Sequence, residues 1–163
     1  MEKIPAPIVA SGRTMMPDSI DRPDMRALVQ EHFDEMVAMA APEASGALHV
    51  MKFNDAAISL FSLREGDQLV GCGALRDLGD GTSEIKTMRV VKEFRGQHEG
   101  LTILDYLIAE AKRRGNHRVY LETGSEDFFH PARTLYRRRG FRMCGAFAEY
   151  KVDRRSVFMM LDL

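Results

Sequence analysis

The chain has 163 residues, with 23 Lys and Arg against 24 Asp and Glu, a formal net charge of −1, and 45% hydrophobic and 29% charged residues. That balance excludes a disordered tail, a collagen-like fibre and a broad polyanion binder, and the length suits one domain over residues 1–163. No apolar run approaches the roughly 20 residues of a membrane helix, two cysteines (Cys72, Cys144) are too few for a disulfide framework, and the N-terminus lacks the apolar core of a signal peptide, so a soluble, cytoplasmic protein is expected.

Residues 1–22 carry turn signals (Ser11-Gly12, Met16-Pro17-Asp18) and no clean period, with a short strand expected around Ile8–Ala10. Met25, Leu28, Val29, Phe33, Met36 and Val37 then repeat at three and four residues, which predicts an amphipathic helix from Pro23, with Asp21 as its N-cap and Pro42 ending it. Residues 43–53 read as a loop with room for a helical turn. Three short strands follow, Ala57–Leu63, Gln68–Leu75 and Ser83–Val91, joined by Glu65-Gly66-Asp67 and Leu78-Gly79-Asp80-Gly81, so they pair antiparallel. Gly71 and Gly73 in the middle strand point to a backbone or helix approaching closely. Leu101, Leu104, Leu107, Ile108 and Ala111 predict a second helix, closed by Lys112, Arg113, Arg114 and Gly115. Arg118–Glu122 is then a strand parallel to Ser83–Val91, because the helix between them supplies the crossover. Pro131–Arg139 reads as a third helix, and Phe141–Cys144 and Ser156–Leu161 as closing strands. The element order describes a mixed α/β or α+β sheet.

The stretch that carries chemistry is Met88–Leu101, a strand running through a loop with Arg95, Gly96 and Gly100 straight into a helix. The first N–H groups of that helix lack internal partners and carry partial positive charge, so the loop is either an anion cradle suited to a phosphate or an ordinary glycine-containing turn. Metal-ligand spacings are missing, with no C-x-x-C or H-E-x-x-H, so no metal is expected. Arg113-Arg114 and Arg137-Arg138-Arg139 read as solvated helix ends rather than a nucleic-acid footprint, given the near-zero net charge.

Taken together, MRVVKEFRGQHEG (Met88–Gly100), RVYLETG (Arg118–Gly124) and ARTLYRRRGF (Ala132–Phe141) resemble the GNAT superfamily of acetyl-CoA-dependent N-acetyltransferases, in the right order and at the right separations. The resemblance covers residues 57–163 and implies a mixed, mostly antiparallel twisted sheet, with a central parallel strand pair splayed for coenzyme A and helices on its faces. It divides the chain into an acceptor-side segment, residues 1–56, and an acetyl-CoA-binding core, residues 57–163. The implied activity is transfer of an acetyl group from acetyl-CoA to a primary amine of a small molecule or peptide, by direct attack in a ternary complex. The alternative is a catalytically weak acyl-CoA-binding sensor or interaction module of the same fold.

The resemblance also assigns roles. Val90 would pair with the pantetheine arm, and the Met88 N–H would face the thioester carbonyl and stabilise its developing negative charge. Arg95, Gly96, Gln97, His98, Glu99 and Gly100 would hold the pyrophosphate, and Tyr136 would protonate the departing thiolate. Two positions depart from the pattern: His98 replaces the middle glycine of the loop, and Phe129 stands where the family often has an asparagine against pantetheine. His98 would fit if it keeps a negative φ in the first helical turn. For the base that deprotonates the amine, Glu84 is the first candidate and Glu122 the second, each with the alternative of an ordinary ion pair to a cation such as Lys86. The acceptor pocket would draw on Ser45, His49, Phe128, Phe147 and Tyr150, although Phe147 serves equally as core. Met25, Met36, Met39 and Met51 fall near that pocket. No membrane or nucleic-acid partner is expected, and apolar strands near the C-terminus make a homodimer the candidate assembly.

Overall fold

The computed structural model describes residues 9–10, 12–39 and 50–163. Its strands form one sheet: β1 (Val9–Ala10), β2 (Arg13–Pro17), β3 (Ile58–Glu65), β4 (Gln68–Asp77), β5 (Thr82–Val90), β6 (Arg118–Gly124), β7 (Arg142–Cys144) and β8 (Ser156–Asp162). The order across the sheet is β1-β2-β3-β4-β5-β6-β8-β7, antiparallel throughout except for the central β5–β6 pair. Among the described residues three α-helices accompany it, α1 (Pro23–Met39), α2 (Glu99–Arg113) and α3 (His130–Arg138). Among the described residues no helix is long and apolar enough to cross a membrane.

Alternating side chains of the strands feed two buried clusters. Phe61, Leu63, Val70, Leu75, Ile85, Val119 and Leu121 pack with Ile103, Leu104 and Leu107 of α2. Leu60, Leu69, Cys72 and Ala74 pack instead with Met25, Leu28 and Val29 of α1, so the two helices cover opposite faces. The predicted close approach at β4 is α2 itself: a Cβ on Gly73 would come within 2.8 Å of both Ile103 Cγ2 and Leu107 Cδ1.

Two N-terminal expectations are corrected. Asp21 does not cap α1: the first intrahelical bond runs from the Arg26 N–H to the Arg22 carbonyl, because the helix starts at Pro23. Asp24 in the first turn and Asp18 before it instead receive the buried Arg64 guanidinium, at 2.7 and 3.0 Å. The second correction is β2. The turn at Gly12 (φ 77°) is present, but Arg13–Pro17 after it is a strand, paired along its length with β3. Pro17 fits at the last position because a strand end asks no ladder N–H of it.

Two irregularities in the centre of the sheet create the site. In the β4–β5 ladder Cys72 pairs with Arg89 but Ala74 with Lys86, so Thr87 and Met88 together face Gly73 in a β-bulge. Thr87 lies at φ 55°, an unusual conformation for a β-branched residue. The parallel ladder of β5 with β6 stops at the Glu84–Tyr120 pair. Beyond it, residues 86–90 pair only towards β4 and residues 121–124 only towards β8. The bulge sharpens the local twist and bend of β5, which parts the two strands.

Candidate active site

The parted strands open a cleft of about 340 Å³. Its walls are β5 from Glu84 to Val90, β6 from Leu121 to Gly124, the C-terminal half of α1, the start of α3, and Tyr150 and Arg155 from the last loop. Towards α2 the cleft meets Arg95, whose Nε donates to the Val90 carbonyl at 3.2 Å. After Arg95 the chain turns through Gly96 (φ 82°), where a Cβ would meet nothing within 4 Å, and enters α2 at His98. His98 adopts φ 64°, ψ 17° and forms no side-chain cap. The condition that this histidine keep a negative φ is therefore not met: it occupies the left-handed conformation of the glycine it replaces. The first N–H groups of α2 are left for an anion, and the free backbone edges of β5 and β6 suit an extended arm of amides. The residues present thus fit acetyl-CoA.

Two carboxylates in the cleft differ sharply. Glu84 is 1% exposed and contacted at both oxygens: Tyr150 Oη donates to its Oε2 at 2.6 Å, Lys86 Nζ lies 3.4 Å from the same oxygen, and Arg76 Nη2 forms a 2.8 Å ion pair with Oε1, which accepts no hydrogen bond. Lys86 also donates to Tyr150 Oη at 2.5 Å, and burial pulls its ammonium below the usual lysine range. Glu122 is less encumbered. Burial raises its carboxyl above the usual glutamate range, against the Ser156 hydroxyl and Lys86, which favour the anion. Tyr136, on α3, lines the cleft with it; burial and the nearby Glu122 charge push its phenol up to about 12.

The remaining predicted residues divide. Met88, Val90, Arg95, Phe128, Phe129 and Tyr150 line the cleft. The Phe129 ring covers Gly124 so closely that a Cβ there would lie 2.1 Å from it. Phe147 does not reach the cleft: it is buried, stacked on Tyr120 at 4.6 Å and edge-on to Phe158 and Tyr150, because its loop folds back over the sheet. Gly100 packs near Leu135, and the Glu99 carboxylate turns away to Arg13. Ser45 and His49 lie outside the described residues. Met36 and Met39 line the cleft as expected, whereas Met25 is core and Met51 is 65% exposed. Expected at helix ends, Arg113 and Arg114 pair with Glu110, and Arg139 with Asp105.

Sequence reasoning missed the charges that join α1 to β5. Arg89 of β5 is buried and bonds Glu31 at 2.9 Å and Glu35 at 2.6 Å on α1, with His32 Nδ1 3.5 Å away. Burial and Arg89 lower the His32 imidazole to about 4, so it is neutral here. The spacing i, i+1 and i+4 on α1 was visible, but its target on β5 depends on the bulge. Among the described residues no group of three or more His, Cys, Asp and Glu side chains is placed to hold a metal ion.

Known proteins share this fold. The profile of the acetyltransferase (GNAT) family matches residues 25–141. The chain is 42% identical over 137 residues to the uncharacterized N-acetyltransferase YsnE of Bacillus subtilis (strain 168), covering 84% of this chain and 91% of that one. The structure of a candidate acyl-CoA N-acyltransferase from Klebsiella pneumoniae superposes with a TM-score of 0.75 at 28% identity, over 93% of this chain and 97% of that one. A GNAT family acetyltransferase from Elizabethkingia anophelis with acetyl-CoA bound shares the fold, with a TM-score of 0.66 at 18% identity over 94% of this chain and 100% of that one.

Proposed function

Since the chain belongs to the acetyltransferase (GNAT) family, we propose that it acetylates a primary amine of a small molecule or peptide by direct attack in a ternary complex. The observation that carries this reading is the cleft between β5 and β6, which runs from Arg95, in the loop before the uncapped start of α2, to a wall holding Glu122 and Tyr136. Acetyl-CoA supplies the acetyl thioester. The N–H groups of residues 96–100 and the Arg95 guanidinium would hold its pyrophosphate, and the edge of β5 from Met88 to Val90 would hold the pantetheine arm. The Met88 N–H would donate to the thioester oxygen as negative charge gathers there.

An alkylammonium titrates near pH 10, so the acceptor must lose a proton before its nitrogen attacks. Glu122 is the better base: burial raises its carboxyl above the usual glutamate range, while the oxygens of Glu84 already face Tyr150, Lys86 and Arg76. Glu84 then serves to hold Tyr150 and Lys86 in the acceptor wall. Tyr136, with its phenol near 12, stays protonated at pH 7 and donates to the sulfur as the thiolate leaves. Residues 1–163 are read as one N-acetyltransferase domain, since α1 supplies His32, Glu35, Met36 and Met39 to the acceptor end of the cleft.

The test is thiol release from acetyl-CoA across a panel of amines, beside calorimetry with acetyl-CoA alone. Binding and turnover with at least one primary amine are expected, and Tyr136→Phe should lower kcat by about a hundredfold with acetyl-CoA affinity retained. No binding, or binding without turnover on any amine, overturns the reading; an unchanged kcat in the variant overturns the role of Tyr136.

A further inference from the structure

Arg13 belongs to β2, outside the segment that the family pattern covers, yet its side chain ends at the loop before α2. Its Nη1 donates to Glu99 Oε1 and its Nη2 to Gln97 Oε1 at 3.0 Å. Its Nε lies 3.5 Å from Glu65 Oε1, and the guanidinium covers the Phe94 ring at 5.0 Å from the centroid. One planar fork, only 12% exposed, thus bonds the residues on both sides of His98.

His98 is the residue in need of such a hold. It keeps a left-handed backbone that costs a non-glycine residue stability, without a side-chain cap to fix it. Glu99 needs it for another reason. Its carboxylate is 8% exposed in the first turn of α2, and Oε2 has no hydrogen-bond partner. There it competes with any anion for the same helix N-terminus. Arg13 cancels that charge from the side of the sheet.

We propose that Arg13 is a positioning residue for coenzyme A: it holds Gln97 and Glu99 so that His98 stays left-handed, and it neutralises Glu99 beside the place of the pyrophosphate. The proposal rests on the acetyl-CoA reading of the cleft. It adds to that reading a dependence of the nucleotide end of the site on β2.

Calorimetry with coenzyme A and with S-acetylpantetheine, which has the same arm but no pyrophosphate, separates the possibilities. Arg13→Met should raise the Kd of coenzyme A about tenfold, since it frees the loop around His98 and leaves the Glu99 charge beside the pyrophosphate. It should change the Kd of S-acetylpantetheine by less than about twofold, and adding Glu99→Gln should restore most of the coenzyme A affinity. Arg13→Lys keeps the charge, and with it the fold, but not the fork, and should weaken coenzyme A by about threefold. Wild-type affinity in both Arg13 variants, or an equal loss for the two ligands, overturns the proposal. A wild-type protein that does not bind coenzyme A overturns the reading beneath it instead.

Discussion

Glu84 ends the β5–β6 ladder and Glu122 stands two residues beyond it on the neighbouring strand, and their surroundings send them in different directions. For Glu122, burial is the largest influence and favours the protonated form. A carboxyl whose pKa is raised on folding contributes stability in full below its unfolded value, here 4.5, and loses it as pH rises through the folded value. Glu122→Gln should therefore be more stable than wild type at pH 8 and indistinguishable from it at pH 4, as urea midpoints would show. The same difference at both values would mean that the carboxylate is ionised without cost. Activity should follow the opposite course, rising with pH through the same titration, since only the anion accepts the amine proton. His98 offers a second test. Glycine at φ 64° avoids the left-handed penalty, so His98→Gly should gain about 0.5–1 kcal/mol in urea unfolding and bind coenzyme A more tightly. A destabilised variant would show that the Arg13 clamp already makes the histidine's conformation the better one.

At the scale of elements, the bulge in β5 and the glycines of β4 act together. Gly71 and Gly73 let α2 lie directly on the sheet, and the helix so placed brings its N-terminus to the end of the parted strands. Gly73→Ala forces a methyl group to within 2.8 Å of two α2 side chains and should cost about 1–3 kcal/mol, with an unchanged urea m-value. A neutral substitution would mean that α2 shifts freely. The helices and hairpins were legible in the sequence because period and turn residues are local signals, and α2 and the β3–β5 meander match their expected spans closely. β2 was not legible, because Arg13–Pro17 has proline at its end and takes its strand character from pairing with β3. The bulge was not legible either. Nothing in Lys86-Thr87-Met88 marks the extra residue, which exists only relative to β4.

Across the whole molecule, the cleft is a seam where the sheet leaves backbone groups unpaired along two central strands. A ligand that bonds those edges binds only the folded state. Coenzyme A at about a hundred times its Kd should therefore raise stability by about 2.7 kcal/mol and Tm by roughly 5–10 °C, with the shift growing as concentration rises. A Tm independent of coenzyme A would argue against the cleft as its site. The family, the order of elements from α1 onward, the parallel β5–β6 pair and the loop that opens α2 were all readable from the chain, since each rests on residues adjacent in it or at helical and strand spacing. The sequence also singled out Tyr136, Glu84 and Glu122, which line one cleft. Tertiary contacts were needed to give Glu84 and Glu122 their different surroundings, bury Phe147, bring Glu35 to Arg89 and join Arg13 to the loop around His98. Those are contacts between segments up to 86 residues apart, and burial and charge pairing arise only when such segments meet.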